Sequence, residues 1–155
     1  MCLTIETTPF IIAYFTNDMK EKIKVIKIIH LALVSGVTLI YVVLGNLHTF
    51  NFLRILKTES SAFTYLLVAV AAILLGNFLY KQQLKNTKDN LTLEEKVVPY
   101  QTALLTRWVI LEGAAFIILF IEKEWLIIGL FLIVYMAFLR PSEERMKRDF
   151  QAIGK

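Results

Sequence analysis

Four apolar runs divide the chain: Ile28–Leu47, Ala62–Tyr80, Ala103–Ile121 and Trp125–Leu139. The first three have about the 20 residues that carry a helix across a ~30 Å hydrocarbon core, and the fourth is the shortest. Their flanks carry helix signals. Asn17 and Asp18, followed by a lysine-rich turn, are candidate caps for the first helix, and Ser60 and Ser61 for the second. Pro99 suits the first turn of the third, where its missing N–H does no harm. Arg140–Pro141 marks the end of the fourth, since proline disfavours helical geometry in the residue before it. Only Glu122, Lys123 and Glu124 separate the last two runs, which predicts an antiparallel hairpin. The Asn46–Ser61 connection carries Phe50, Phe52, Leu53, Ile55 and Leu56 and is expected at the membrane interface. The expected fold is an all-α integral membrane protein, a four-transmembrane-helix bundle forming a single membrane domain over residues 1–155.

Two polar segments carry local order. Thr92-Leu-Glu-Glu95 has the form of a capping box and predicts a short helix leading towards Pro99. Ser142 is a candidate cap for a tail helix over 142–153, with Glu143 and Glu144 in its first turn. Met146, Phe150 and Ile153 recur there at helical spacing among Arg145, Lys147 and Arg148. Such a basic amphipathic helix can rest on anionic headgroups; a frayed, solvated tail is the alternative.

Composition agrees with a membrane protein: 57% of the 155 residues are hydrophobic and 19% charged, against about 25% charged in soluble domains. Mean hydropathy is +0.61. The net charge of +4 matters through its distribution. Thirteen of the seventeen lysines and arginines fall in the N-terminal segment, the central loop and the tail. The positive-inside rule then sets both termini in the cytoplasm, and we expect the inner (plasma) membrane of a bacterium. Tyr80, Tyr100 and Trp108 near one boundary and Trp125 near the other read as interface anchors. The cations track the membrane boundary, so no nucleic-acid surface is expected. One cysteine, Cys2, excludes an intrachain disulfide, and no cleavable signal peptide is expected.

The one acidic residue deep in an apolar run is Glu112. A carboxylate at the bilayer centre costs roughly 2.5–3.5 kcal/mol on insertion scales, so it calls for a partner and a purpose. Arg107 lies about 140° around the helix and roughly 7.5 Å along it, too far round for a stacked pair. The partner is therefore another helix, another subunit or a proton. Glu112 is the candidate proton- or cation-coupling group, with Arg107 or His30 tuning it; His30 can also relay protons or simply meet a backbone carbonyl or headgroups. The opposing reading is an interhelical hydrogen bond that serves as glue.

Small and polar residues mark expected packing seams: Ser35 and Gly36 on the first span, Ala72, Gly76 and Asn77 on the second, Gly113 on the third and Gly129 on the fourth. His30-x4-Ser35-Gly36 also aligns with Arg107-x4-Glu112-Gly113, a faint sign of parallel repeats. With two histidines, His30 and His48, and no glycine-rich phosphate loop, neither an enzyme, a metal site nor a cofactor is expected. In span number and membrane carboxylate the chain resembles the four-helix proteolipid of rotary ATPases and the small multidrug-resistance transporters. The proteolipids have glycine-dense helices and a carboxylate on an even helix, and the small transporters carry theirs on the first; this chain has six glycines and Glu112 on the third, so it is assigned to neither. The expected function is an oligomeric proton- or cation-coupled transport component. The alternative is a non-transporting accessory or assembly subunit of a larger membrane complex.

Overall fold

The computed structural model describes residues 8–45, 60–121 and 125–154. Within these, every regular element is helical: α1 (Thr8–Leu44), α2 (Ser60–Lys85), α3 (Val97–Ile121), α4 (Leu126–Phe138) and α5 (Glu143–Ala152). Stretches of α1, α2 and α3 are long and apolar enough to cross a membrane: Met19–Leu44, Phe63–Lys85 and Val97–Ile121. The Asn46–Ser61 interfacial segment, the Glu122–Glu124 turn, Cys2 and His48 lie outside the described residues, save that Ser60 and Ser61 open α2.

Two elements depart from the pattern read in the sequence. The first helix begins at Thr8 and passes through Asn17 and Asp18, which therefore do not cap it. Neither residue breaks a helix; each costs only about 0.7 kcal/mol of propensity, and no Gly or Pro lies between Pro9 and Gly36 to stop it. The 37-residue α1 is about 55 Å long, well beyond the thickness of a bilayer core.

The second departure is α4, whose 13 residues span only about 20 Å. It crosses the length threshold only together with α5, from which it is bent by 94°, so the count is three spans, or four if the bent pair is one. The bend has a local cause at Arg140–Pro141. Leu139 N–H folds back to Met136 O at 3.0 Å, and Ser142 Oγ then accepts Arg145 N–H at 3.1 Å to open α5. Arg145 Nη1 donates to the carbonyls of Phe138 and Arg140, which satisfies the end of α4 with a cation.

Helix α3 packs against both α2 and α4, and α1 lies against α3 and α4. The buried core follows one face of α3: Tyr100, Leu104, Trp108, Leu111, Ala115 and Ile118. Outward faces expose Leu39, Leu74, Val109 and Phe120, as a lipid-facing surface does.

One end of the bundle is cross-braced by polar and ring contacts. Lys22 Nζ on α1 meets Glu94 Oε1 at 3.0 Å, Lys96 sits over the Phe150 ring at 5.5 Å, and Tyr80 Oη donates to Asp149 Oδ2 at 2.7 Å. The α5 apolar face is consumed here: Met146 and Phe150 are buried against the protein itself. So are Tyr80, Tyr100, Trp108 and Trp125, which pack inside the bundle rather than anchoring it in headgroups. The Thr92–Glu95 box forms, with Thr92 N–H donating to Glu95 Oε2 at 2.8 Å. That hydrogen bond holds the exposed Glu95 carboxyl below its ordinary pKa. The box opens a single turn that runs directly into α3, rather than a separate helix.

Candidate functional site

Three groups of polar contacts tie the spans together around buried residues. The first centres on Trp108, fully buried on α3. The His30 ring from α1 lies against it with centroids 4.6 Å apart. His30 Nε2 donates to Met136 O in the last turn of α4 at 2.9 Å, so one histidine ties three helices together. The contact sets His30 of α1 beside Trp108 of α3, and Ser35–Gly36 and Glu112–Gly113 each follow about one turn further along their own helix.

Arg107 anchors the second group. Its Nη2 donates to Tyr135 Oη at 2.9 Å, and its guanidinium lies 5.2 Å from the Tyr80 ring centroid and 5.8 Å from that of Tyr135. Asn77 Nδ2 reaches the same hydroxyl at 3.2 Å. Gly76 lies under this arginine, where a methyl group would just touch Arg107 Cγ at 3.4 Å. Arg107 Nε is buried with no hydrogen-bond partner among the described residues. A cleft of about 220 Å³ opens beside the group and reaches Asp149 and Arg148 on α5. Removing the shared acceptor should be felt: Tyr135→Phe is expected to lose about 1.5–3 kcal/mol of stability, the range for hydrogen bonds to charged groups. In a thermal-unfolding series, Tyr135→Phe should add little on top of Arg107→Met. Full additivity would show that the two side chains do not depend on each other.

Glu112 stands apart. It is half-buried, and among the described residues no hydrogen bond or ion pair joins it to Arg107, His30 or any other side chain. Arg107 turns towards α2 and α4, and Glu112 takes no part in that network. A Cβ added at neighbouring Gly113 would meet nothing within 4 Å, and the same holds for Gly36 on α1. Ser35 is exposed and, among the described residues, bonds to Ala32 O of its own helix at 3.1 Å. Ala72 is buried beside Ala69.

Compared with known protein families, curated proteins and solved structures, the chain matches none. Its site must therefore be read from its own geometry.

The third group is one that the sequence pattern does not reveal. Tyr41 of α1 is fully buried and donates its hydroxyl hydrogen to Ala115 O of α3. It reaches that carbonyl across Gly129 of α4, where a Cβ would collide with the hydroxyl and come within 2.7 Å of Cζ. Tyr135 and Asp149 are likewise partners that the pattern does not announce. Tyr135 is the one polar side chain on the apolar α4, and that is the signal that could find it; Asp149 sits among the charged residues of α5, where nothing in the sequence singles it out.

Proposed function

We propose that the chain is a protomer of a membrane assembly, a homo-oligomer or a larger complex, in which Glu112 faces the boundary between subunits and carries a proton or cation. The carrying observation is a half-buried carboxylate within the apolar spanning stretch of α3 with no partner among the described residues, beside Gly113, where an added Cβ would meet nothing. Its desolvation cost calls for a neighbour, and the candidate partners are engaged elsewhere: Arg107 with Tyr135, His30 with Met136. In this reading the Trp125–Leu139 stretch that holds α4 is the fourth span, and α5, bent 94° away from it, lies at the membrane boundary. The cation-rich end, which gathers the N-terminal half of α1, the α2–α3 connection and α5, faces the cytoplasm of a bacterial inner membrane, so both termini lie inside.

A second reading, a non-transporting accessory subunit, is favoured by one fact. Glu112 lines neither the cleft beside Arg107, nor the two between α1 and the α4–α5 bend, nor the apolar one between α2 and α4, so these offer no wet path to it within the single chain. Purified protein in proteoliposomes loaded with a pH- or sodium-sensitive dye separates the two. Under an imposed gradient, Glu112→Gln should lower flux about tenfold or more while leaving the cross-linked oligomer intact, since the amide keeps shape and loses the titrating proton. Equal flux from the wild type and the Glu112→Gln variant, or no flux from either, discards the coupling role. If oligomers fall apart instead, Glu112 is a docking group of the accessory kind.

A further inference from the structure

The Arg140–Pro141 bend leaves a cleft of about 460 Å³ between α1, the end of α4 and the start of α5. Four cations line it, Lys27, Arg140, Arg145 and Arg148, against one carboxylate, Glu144. Two other cations at this end are matched: Lys22 with Glu94, Lys147 with Glu143. Lys27, Arg140 and Arg148 have no carboxylate partner among the described residues, and Arg145 spends Nη1 on the two carbonyls, which fixes its guanidinium in place. Four cations against one carboxylate leave a net repulsion that a bound anion would relieve.

A second cleft of about 370 Å³ continues from the first, because Lys27 and Arg140 line both. Beyond Lys24 it becomes mainly apolar, running along Ile28, Leu31 and Val34 of α1 and Ala137 of α4, with His30 the one polar side chain in that part of its wall. Ile28, Leu31 and Val34 recur every three residues and so line one strip of the helix, pointing from the polar end into the spanning region. A cationic pocket that opens into an apolar furrow at the membrane boundary matches one kind of molecule: a charged head on a hydrocarbon tail.

We propose that this double cleft binds an anionic phospholipid, its phosphate between Lys27, Arg140, Arg145 and Arg148 and one acyl chain along the α1–α4 furrow. The excess of cations over Glu144 suits a headgroup with two negative charges better than one with a single charge. Arginine supplies the forked donors that phosphate oxygens take in pairs. The site is independent of Glu112 and of any transport role.

Native mass spectrometry and thermal unfolding of the detergent-purified full chain test this with defined probes: dioleoyl phosphatidic acid, dioleoyl phosphatidylcholine, and inorganic phosphate with no tail. The wild type should retain phosphatidic acid and be stabilised by it, and respond weakly to phosphatidylcholine. Inorganic phosphate should give little, because it lacks the chain that fills the furrow. A boundary cation is worth roughly fivefold in binding, so Lys27→Gln/Arg140→Gln/Arg148→Gln should weaken phosphatidic acid retention on the order of 100-fold. Lys20→Gln/Lys85→Gln/Lys88→Gln removes three exposed lysines that do not line the double cleft and should leave retention nearly unchanged. Equal losses in the two triple variants would reduce the effect to bulk electrostatics and overturn the site. Inorganic phosphate binding as tightly as the lipid would overturn the acyl-chain half of the proposal. Both variants are checked for unchanged helicity and elution without added lipid. If the cleft variant fails that check, Ala137→Trp, which blocks the furrow and keeps every cation, takes its place and must lose the lipid while keeping any response to phosphate.

Discussion

Replacing Trp108 by alanine is expected to lower stability by about 3–5 kcal/mol, the range for truncating a large buried aromatic. Total stability is only about 5–15 kcal/mol, so the variant should be recovered poorly if at all. The size of the effect follows from position. Trp108 is fully buried on the most buried face of α3, and His30 leans on its ring before reaching Met136 O. Within a bilayer, lipid tails are as apolar as the side chains, so the loss comes from dispersion contacts and from the displaced His30 hydrogen bond. Trp108→Phe keeps a ring for His30 and should recover more than half of the loss. Reversible unfolding in detergent micelles, followed by far-ultraviolet circular dichroism, gives the comparison. If alanine and phenylalanine behave alike, the ring contact contributes nothing.

The second large effect is expected at a position with no side chain. Gly129→Ala should cost about 2–4 kcal/mol: overpacking in a filled interior is worth about 1–3 kcal/mol, and loss of the Tyr41 hydrogen bond about one more. The added methyl cannot be absorbed by a small shift, because it would overlap the Tyr41 hydroxyl and lie 2.7 Å from Cζ and 3.0 Å from Cε1. A second substitution makes the cause visible. In a Tyr41→Leu background the obstructing ring is gone, and Gly129→Ala should then be nearly neutral. The same cost in both backgrounds would point to helix packing at Gly129 unrelated to Tyr41. Tyr41→Phe alone should lose only about 1 kcal/mol, since the ring stays in place.

Much of the helical framework can be read in the chain before any coordinates. Pro99, Arg140–Pro141 and Ser142 act through local stereochemistry, so they mark boundaries reliably wherever they occur. The Thr92–Glu95 box is of the same kind. Asn17–Asp18 misleads because a polar pair is a start signal only when the preceding residues do not already form a helix, and here they do. Trp108 and Tyr100 mislead for a different reason. Sequence distance places them near a boundary, but what covers a helix face there depends on other elements: α5 folds back over Tyr100, and His30 of α1 covers Trp108. The same limit applies to Arg107. Its separation from Glu112 along α3 is legible, whereas its partner Tyr135 lies 28 residues away on another helix. Contacts between helices are set by rotation and register, which an evenly apolar chain barely encodes. The hydrophobic faces of α2 and α3 are so uniform that no stripe betrays which side turns inward.

The His30 hydrogen bond has one more implication. A peptide carbonyl has no proton to give, so Nε2 must supply it, and it does so in the neutral ring and in the cation alike. The brace between α1 and α4 therefore needs no charge on the ring: the tautomer that carries its hydrogen on Nε2 makes it and leaves Nδ1 free. Any proton that His30 exchanges must pass through that second nitrogen, leaving the mechanical role of the ring untouched.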